Sequence, residues 1–159
     1  MDKESLRQLI KDYKLNIANR DRVKLDIERF DSRYKKILDD YDIRLSGSYD
    51  INGDIRPKYK ISDKVATAVI RRDKKLEKLK KDRIEKVKLL DHYNYLIKTT
   101  ETYLDSLNEN DRAIVEARYI EGYSRDYIAS SIYIKIYGTI CSVENIDKIL
   151  IKAFNRMLK

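Results

Sequence analysis

The chain has 159 residues, 42% hydrophobic and 39% charged, too apolar for a disordered chain and unusually charged for a compact globule. One Pro and four Gly leave almost no turn punctuation for a β-sandwich or barrel, and one Cys with one His rules out a disulfide framework, a cysteine-based zinc finger and a histidine metal cluster. What remains is an all-α protein of long, polar-faced helices. No run approaches the roughly 18 apolar residues of a membrane span. Met1-Asp2-Lys3-Glu4 leads directly into a charged periodic segment rather than a signal peptide. The composition therefore reads as a reduced, soluble, intracellular protein with no metal, no cofactor and no membrane partner.

Taken in chain order, residues 1–45 form a first helical segment. Leu6, Ile10, Tyr13 and Ile17 recur at helical spacing, as do Ile27, Phe30, Tyr34, Ile37 and Tyr41. Arg20 and Lys24 fall on that apolar seam, so Asn19-Arg20-Asp21-Arg22 is either a break between two helices or a weak point in one; the reading favours the break. Residues 46–61 hold Gly47, Gly53 and Pro57 and read as a linker. Ser62 or Asp63 is then a suitable N-cap for a long helix over 62–107. Its seam runs through Val69, Leu76, Leu79, Val87, Leu90, Ile97 and Leu104, interrupted by Arg83. A helix of that length spans about 65 Å at 1.5 Å per residue, so it must pair with the first segment, with a second copy, or with both.

Residues 108–159 change to short elements. Asn108 is placed to cap a helix with Asp111 in its first turn and an apolar face of Ile114, Val115 and Tyr119. Gly122 stands at a helix C-terminus. Ser124 opens a second helix through Tyr127, Ile128 and Ser131, and Gly138 ends it. Ile132, Ile134 and Ile136 alternate as a strand would, so either the second helix is extended or a short strand follows it. Ser142 caps a last helix whose seam is Val143, Ile146, Leu150, Ala153 and Met157. Three short helices with small-residue turns predict a helix-turn-helix domain.

The formal net charge is +8, and its excess is local. Residues 56–88 carry 14 basic and 5 acidic side chains, whereas 1–55 are neutral and 89–159 are near neutral. Such a stretch either binds phosphates or forms a solvated coiled-coil face. As backbone-contact candidates it supplies Arg71, Arg72, Lys74, Lys75 and Lys78, to which Arg125 adds a sixth. On the last helix, Asn145, Lys148, Lys152, Arg156 and Lys159 form one stripe opposite the apolar seam. Lys and Arg can engage phosphates there, and an Asn near the N-terminal end can pair bidentately with adenine. Ser142 and Glu144 complete the candidate DNA-binding set, Glu144 being able to accept from cytosine but also to repel phosphate.

Leu107-Asn108-Glu109-Asn110-Asp111-Arg112-Ala113-Ile114-Val115-Glu116-Ala117-Arg118-Tyr119-Ile120-Glu121-Gly122-Tyr123-Ser124 resembles the opening of the promoter-reading C-terminal region of sigma factors. Arg125-Asp126-Tyr127-Ile128-Ala129 resembles its scaffold helix, and Ala153-Phe154-Asn155-Arg156-Met157-Leu158 its closing segment. Ile61-Ser62-Asp63-Lys64-Val65-Ala66-Thr67-Ala68, within a long charged helical part, is similar to the ArpU/RinA-like late transcription regulators of phages and prophages. The stretch 130–141 is longer than the family's short turn. The resemblance implies a sequence-specific DNA-binding regulator acting as an activator of phage late genes in a bacterial cytoplasm. Its partners would be double-stranded DNA and host RNA polymerase, with a homodimer or higher oligomer formed through the helices. Two rivals use the same parts: a small-terminase-like DNA-packaging subunit, and a sigma-like module that docks on RNA polymerase without reading DNA.

Nothing in the sequence matches a catalytic set: there is no Gly-rich phosphate loop with Lys, no Ser-His-Asp order and no H-E-x-x-H. His92 reads as a surface or seam residue, Cys141 as a buried one, and most of the 13 tyrosines as seam packing rather than base-stacking platforms.

Overall fold

A computed structural model describes residues 2–46 and 59–159, with side chains described for 2–40 and 66–159. Every regular element among the described residues is a helix. Helix α1 (Lys3–Lys11) starts where the Asp2 carboxylate accepts the Ser5 N–H at 2.9 Å. Asp12 interrupts the helix for one residue while its carboxylate takes both hydrogen bonds of the Gln8 side-chain amide, and α2 (Tyr13–Ser46) follows.

The first segment is thus divided at Asp12, not at Asn19-Arg20-Asp21-Arg22, where α2 is continuous. A charged residue on an apolar seam weakens packing but leaves the backbone ladder intact; without Gly or Pro nothing there stops the helix. Helix α3 (Tyr59–Asp105) likewise begins before Ser62 and Asp63, so neither residue caps it. The expected linker glycines and Pro57 lie outside the described residues.

The chain forms two compact units. The second is built from Asp21–Asp91, where the C-terminal part of α2 lies against the first part of α3. Lys86 Nζ donates to Asp26 Oδ2 at 2.8 Å, Arg83 Nε to Asp31 Oδ1 at 2.7 Å, and Lys80 sits 5.7 Å from the Tyr34 ring centre. Rising numbers on one helix meet falling numbers on the other, so the pair is antiparallel. Val23 and Leu76 are its buried apolar residues among those described. Long-helix pairing is therefore satisfied within the chain, though Leu25, Ile70 and Ile84 remain more than half exposed.

The first unit joins the chain up to Arg20 with His92–Lys159. It contains α1, the start of α2, the end of α3 and all the short C-terminal elements. Helix α4 (Glu109–Val115) is capped by Asn108, whose Oδ1 accepts the Asp111 N–H at 2.7 Å, and it runs into a wide π-helical turn (Glu116–Ile120). Gly122 ends it in the left-handed conformation at φ 76°, while the Tyr123 N–H bonds Ala117 O at 3.0 Å.

Ser124 caps α5 (Arg125–Tyr127), which continues through a second π-helical turn (Ile128–Ile132) into α6 (Tyr133–Tyr137). The alternating isoleucines are therefore helical, and the strand alternative falls. Tyr133 and Tyr137 stack at 4.4 Å between ring centres, a spacing that four residues along a helix provide. Left-handed Gly138 stops α6, and α7 (Val143–Met157) closes the unit.

Fourteen buried residues form its core, drawn from α1, the end of α3 and the turn after it, α4, both π-helical turns and α7. Leu6 and Ile10 of α1 are fully buried in it beside Leu104, Ile114, Val115, Ile128 and Ile146. Each such side chain contributes about 1.5–3 kcal/mol by leaving water. The amino-terminal helix is thus part of the same core as α4 and α7, although its apolar spacing alone reads as a coiled-coil seam.

Candidate nucleic-acid interface

Helix α7 begins where Ser142 Oγ accepts the Asn145 N–H at 3.3 Å, so this hydroxyl is engaged as a cap. The inward face is set by Ile146, Leu150, Ala153, Phe154 and Met157, all buried. Phe154 is 1% exposed and was not part of the expected seam. It meets Tyr119 edge-on at 5.3 Å, and the Arg7 guanidinium of α1 lies 5.3 Å from its ring centre. Through Phe154, Tyr119 of the first π-helical turn and Arg7 of α1 therefore hold the inner side of α7.

With that side committed, the opposite face presents the expected stripe. Glu144, Lys148 and Lys152 are exposed, and Asn145 is half-buried. Neither lysine has a carboxylate within 4 Å among the described residues, so both charges face solvent uncompensated by an ion pair.

Arg156 differs. Its Nη1 lies 3.3 Å from Oδ2 of Asp111, a residue only 8% exposed whose backbone is held by the Asn108 cap. This pair ties α7 to the first turn of α4, leaving Arg156 with a structural partner as well as a place on the stripe.

Arg125 is also occupied. Its Nη1 donates to both carboxylate oxygens of Asp147 at 3.0 and 2.8 Å, joining α5 to α7. The hydrogen bond and charge of Asp147 raise the Arg125 pKa above its ordinary value. The consequence for α7 is electrostatic: the acid beside the lysine stripe is matched by a cation from the neighbouring helix. Arg125, expected as a phosphate contact, is thus held by a carboxylate 22 residues away, and nothing in the spacing of the two residues discloses that they meet.

The backbone-contact candidates on α3 lie in the other unit. Arg71, Lys74, Lys75 and Lys78 are exposed, whereas Arg72 is half-buried and bonds Asp73 through Nε at 2.9 Å. Each unit therefore presents its own basic surface.

Other polar features serve the fold. Tyr13 Oη donates to Glu101 Oε1 at 2.9 Å, and Lys14 Nζ reaches Glu121 Oε2 at 2.6 Å. Burial first, and then the bond to Glu101, push the Tyr13 phenol up from its usual pKa. His92 is exposed, and Cys141 is a half-buried free thiol rather than a fully buried one. Tyr95, Tyr123, Tyr127 and Tyr137 are exposed, so the tyrosines are more divided between core and surface than seam packing would give. Among the described residues, no group of three or more His, Cys, Asp or Glu side chains is arranged to hold a metal ion. None of the described helices is long and apolar enough to cross a membrane.

No family model, no curated protein and no solved structure matches the chain.

Proposed function

We propose that this chain is a sequence-specific DNA-binding transcription regulator in which α5–α6 and α7 act as a helix-turn-helix and α7 enters the major groove. The observation that carries this reading is the division of α7 into two faces: five side chains buried on one, and unpaired Lys148 and Lys152 on the other. A reading helix needs such a division, because its inner side must be held rigidly while its outer side remains free for bases and phosphates. Glu144 and Asn145 stand at the N-terminal end, where they would meet base edges. Arg125 assists by neutralising Asp147, and Arg156 by fastening α7 to α4. The resemblance of 107–129 to the promoter-reading region of sigma factors supports the same assignment. The likeness to phage late regulators makes the role one of activating late genes.

Fluorescence anisotropy on a labelled duplex from the upstream region of late genes, against a scrambled duplex across a salt series, tests this. A preference of about 10³-fold or more is expected for a specific regulator. Lys148→Glu with Lys152→Glu abolishes the preference while helicity and mass stay unchanged; an unaltered preference removes α7 from the role. A specific observation favours one other reading. Tyr123 and Tyr127 form an exposed aromatic pair with ring centres 4.9 Å apart in the near-neutral unit, a surface suited to docking on a protein such as RNA polymerase. Salt-independent binding to polymerase, with no duplex binding, would select it.

A further inference from the structure

The antiparallel pair of α2 and α3 has two unlike sides. On one, a groove of about 210 Å³ is edged by charges that already have partners: Arg83 on Asp31, and Lys80 against the Tyr34 ring. On the other, a groove of about 460 Å³ has Ile37 and Leu79 along its floor. Arg33 and Lys36 of α2 and Lys75 and Lys78 of α3 line that groove. All four are exposed, and none has a carboxylate within 4 Å among the described residues. Asp40 and Asp82 also border it, leaving a net charge of +2. Exposed Arg71 and Lys74 extend the cationic face of α3 by one turn beyond Lys75 and Lys78. Counting the whole of α2, acidic and basic residues nearly balance, so the sequence did not single out Arg33 and Lys36.

We infer that this two-helix groove is a phosphate-backbone binding site for duplex DNA, with Arg33 and Lys36 facing Lys75 and Lys78 across the strand it receives. Cations that form ion pairs within a fold offer little to a polyanion, since a pair must first be broken. Four unpaired cations on two helices can each displace a condensed counterion from phosphate. Such a site carries no base information; it supplies affinity and orientation whatever the sequence. It stands independently of α7, which lies in the other unit. An acidic face of a second copy of this chain is the competing occupant.

The test uses the full chain and a labelled scrambled duplex of about 30 base pairs, titrated by anisotropy over a salt series. Arg33→Glu with Lys36→Glu is compared with Lys24→Glu plus Lys35→Glu, an equal charge change at exposed positions on the opposite face of α2. With about 0.9 counterion released per phosphate contact, the groove variant should lower the log–log salt slope by about 2. The control variant should change it much less. An unchanged slope, an equal fall in the control, or no binding of the unaltered chain at low salt overturns the site. A change in mass without a change in slope also overturns it, in favour of contact between copies. Should the double reversal reduce helicity, Arg33→Gln with Lys36→Gln removes the cations without adding repulsion, and its slope decides.

The α7 reading fails separately. If the groove variant weakens binding on both duplexes and no sequence preference exists, the groove holds and α7 does not read bases. If preference depends on Lys148 and Lys152 while the groove variant changes nothing, the opposite holds.

Discussion

Leu6→Ala should destabilise the C-terminal helices, although Leu6 lies about a hundred residues before them in the chain. The side chain is fully buried in the core that also holds Ile114, Ile146 and Phe154. Removing three carbons at about 0.8 kcal/mol each forfeits about 2.4 kcal/mol of transfer free energy. The cavity left behind adds to this, so the total falls near 3 kcal/mol, within the usual range for a buried Leu→Ala change. Against a typical domain stability of about 5–15 kcal/mol, that is a substantial fraction. Each 1.4 kcal/mol is tenfold in an equilibrium constant, so opening should become about 100-fold more frequent.

Native-state hydrogen exchange reads this directly at the amides of Ile114, Ile146 and Leu150, which should lose about two decades of protection. Urea unfolding followed by circular dichroism should give a matching shift in stability. Leu15→Ala supplies the contrast, since Leu15 is 57% exposed and its truncation should cost less than about 0.5 kcal/mol. If Leu6→Ala leaves exchange in α7 unchanged and costs no more than Leu15→Ala, α1 is not part of this core.

Gly122→Ala should cost about 1–2 kcal/mol by thermal unfolding, because a Cβ there meets nothing within 4 Å and only the left-handed backbone at φ 76° resists it. A cost below about 0.3 kcal/mol would mean that the turn relaxes without it. Tyr13 makes a pH prediction: its folded pKa lies above that of the unfolded chain, so its stabilising contribution is complete below pH 10 and is lost as pH rises through the folded value. Absorbance titration should show late-ionising phenols from Tyr13 and Tyr137, both raised by burial, and Tyr13→Phe should remove one of them. The stability difference between the two proteins should narrow above pH 10; a constant difference would refute the raised pKa that burial and the Glu101 bond give this phenol.

The features legible beforehand share one property: each is decided within a few residues. Asn108, Ser124 and Ser142 cap helices because a short polar side chain satisfies an N–H three residues on, and all three do so. Gly122 and Gly138 end helices because only glycine enters the left-handed region without strain, and both have positive φ. Ile146, Leu150, Ala153 and Met157 face inward because their spacing places them on one side of α7. The stripe of Lys148 and Lys152 follows from the same periodicity.

Where local signals conflicted, the backbone decided. Arg20 and Lys24 suggested a break that a chain without Gly or Pro had no reason to make. The alternation of Ile132, Ile134 and Ile136 left a strand as one alternative, but no strand among the described residues is available to share its hydrogen bonds, whereas a helix satisfies them internally.

Partnerships between distant residues belong to the folded molecule alone. Periodicity identifies Leu6 and Ile10 as an apolar pair without saying what buries them, since a coiled-coil seam and a domain core demand the same spacing. The pairing of Arg125 with Asp147, and of Arg156 with Asp111, depends on how α5, α4 and α7 are packed. The same is true of Arg33 and Lys36 coming to share a groove with Lys75 and Lys78. Helical character is written every three or four residues along the chain. The meeting of charges 22 to 45 residues apart is set by packing, and packing determines which cations remain free to bind.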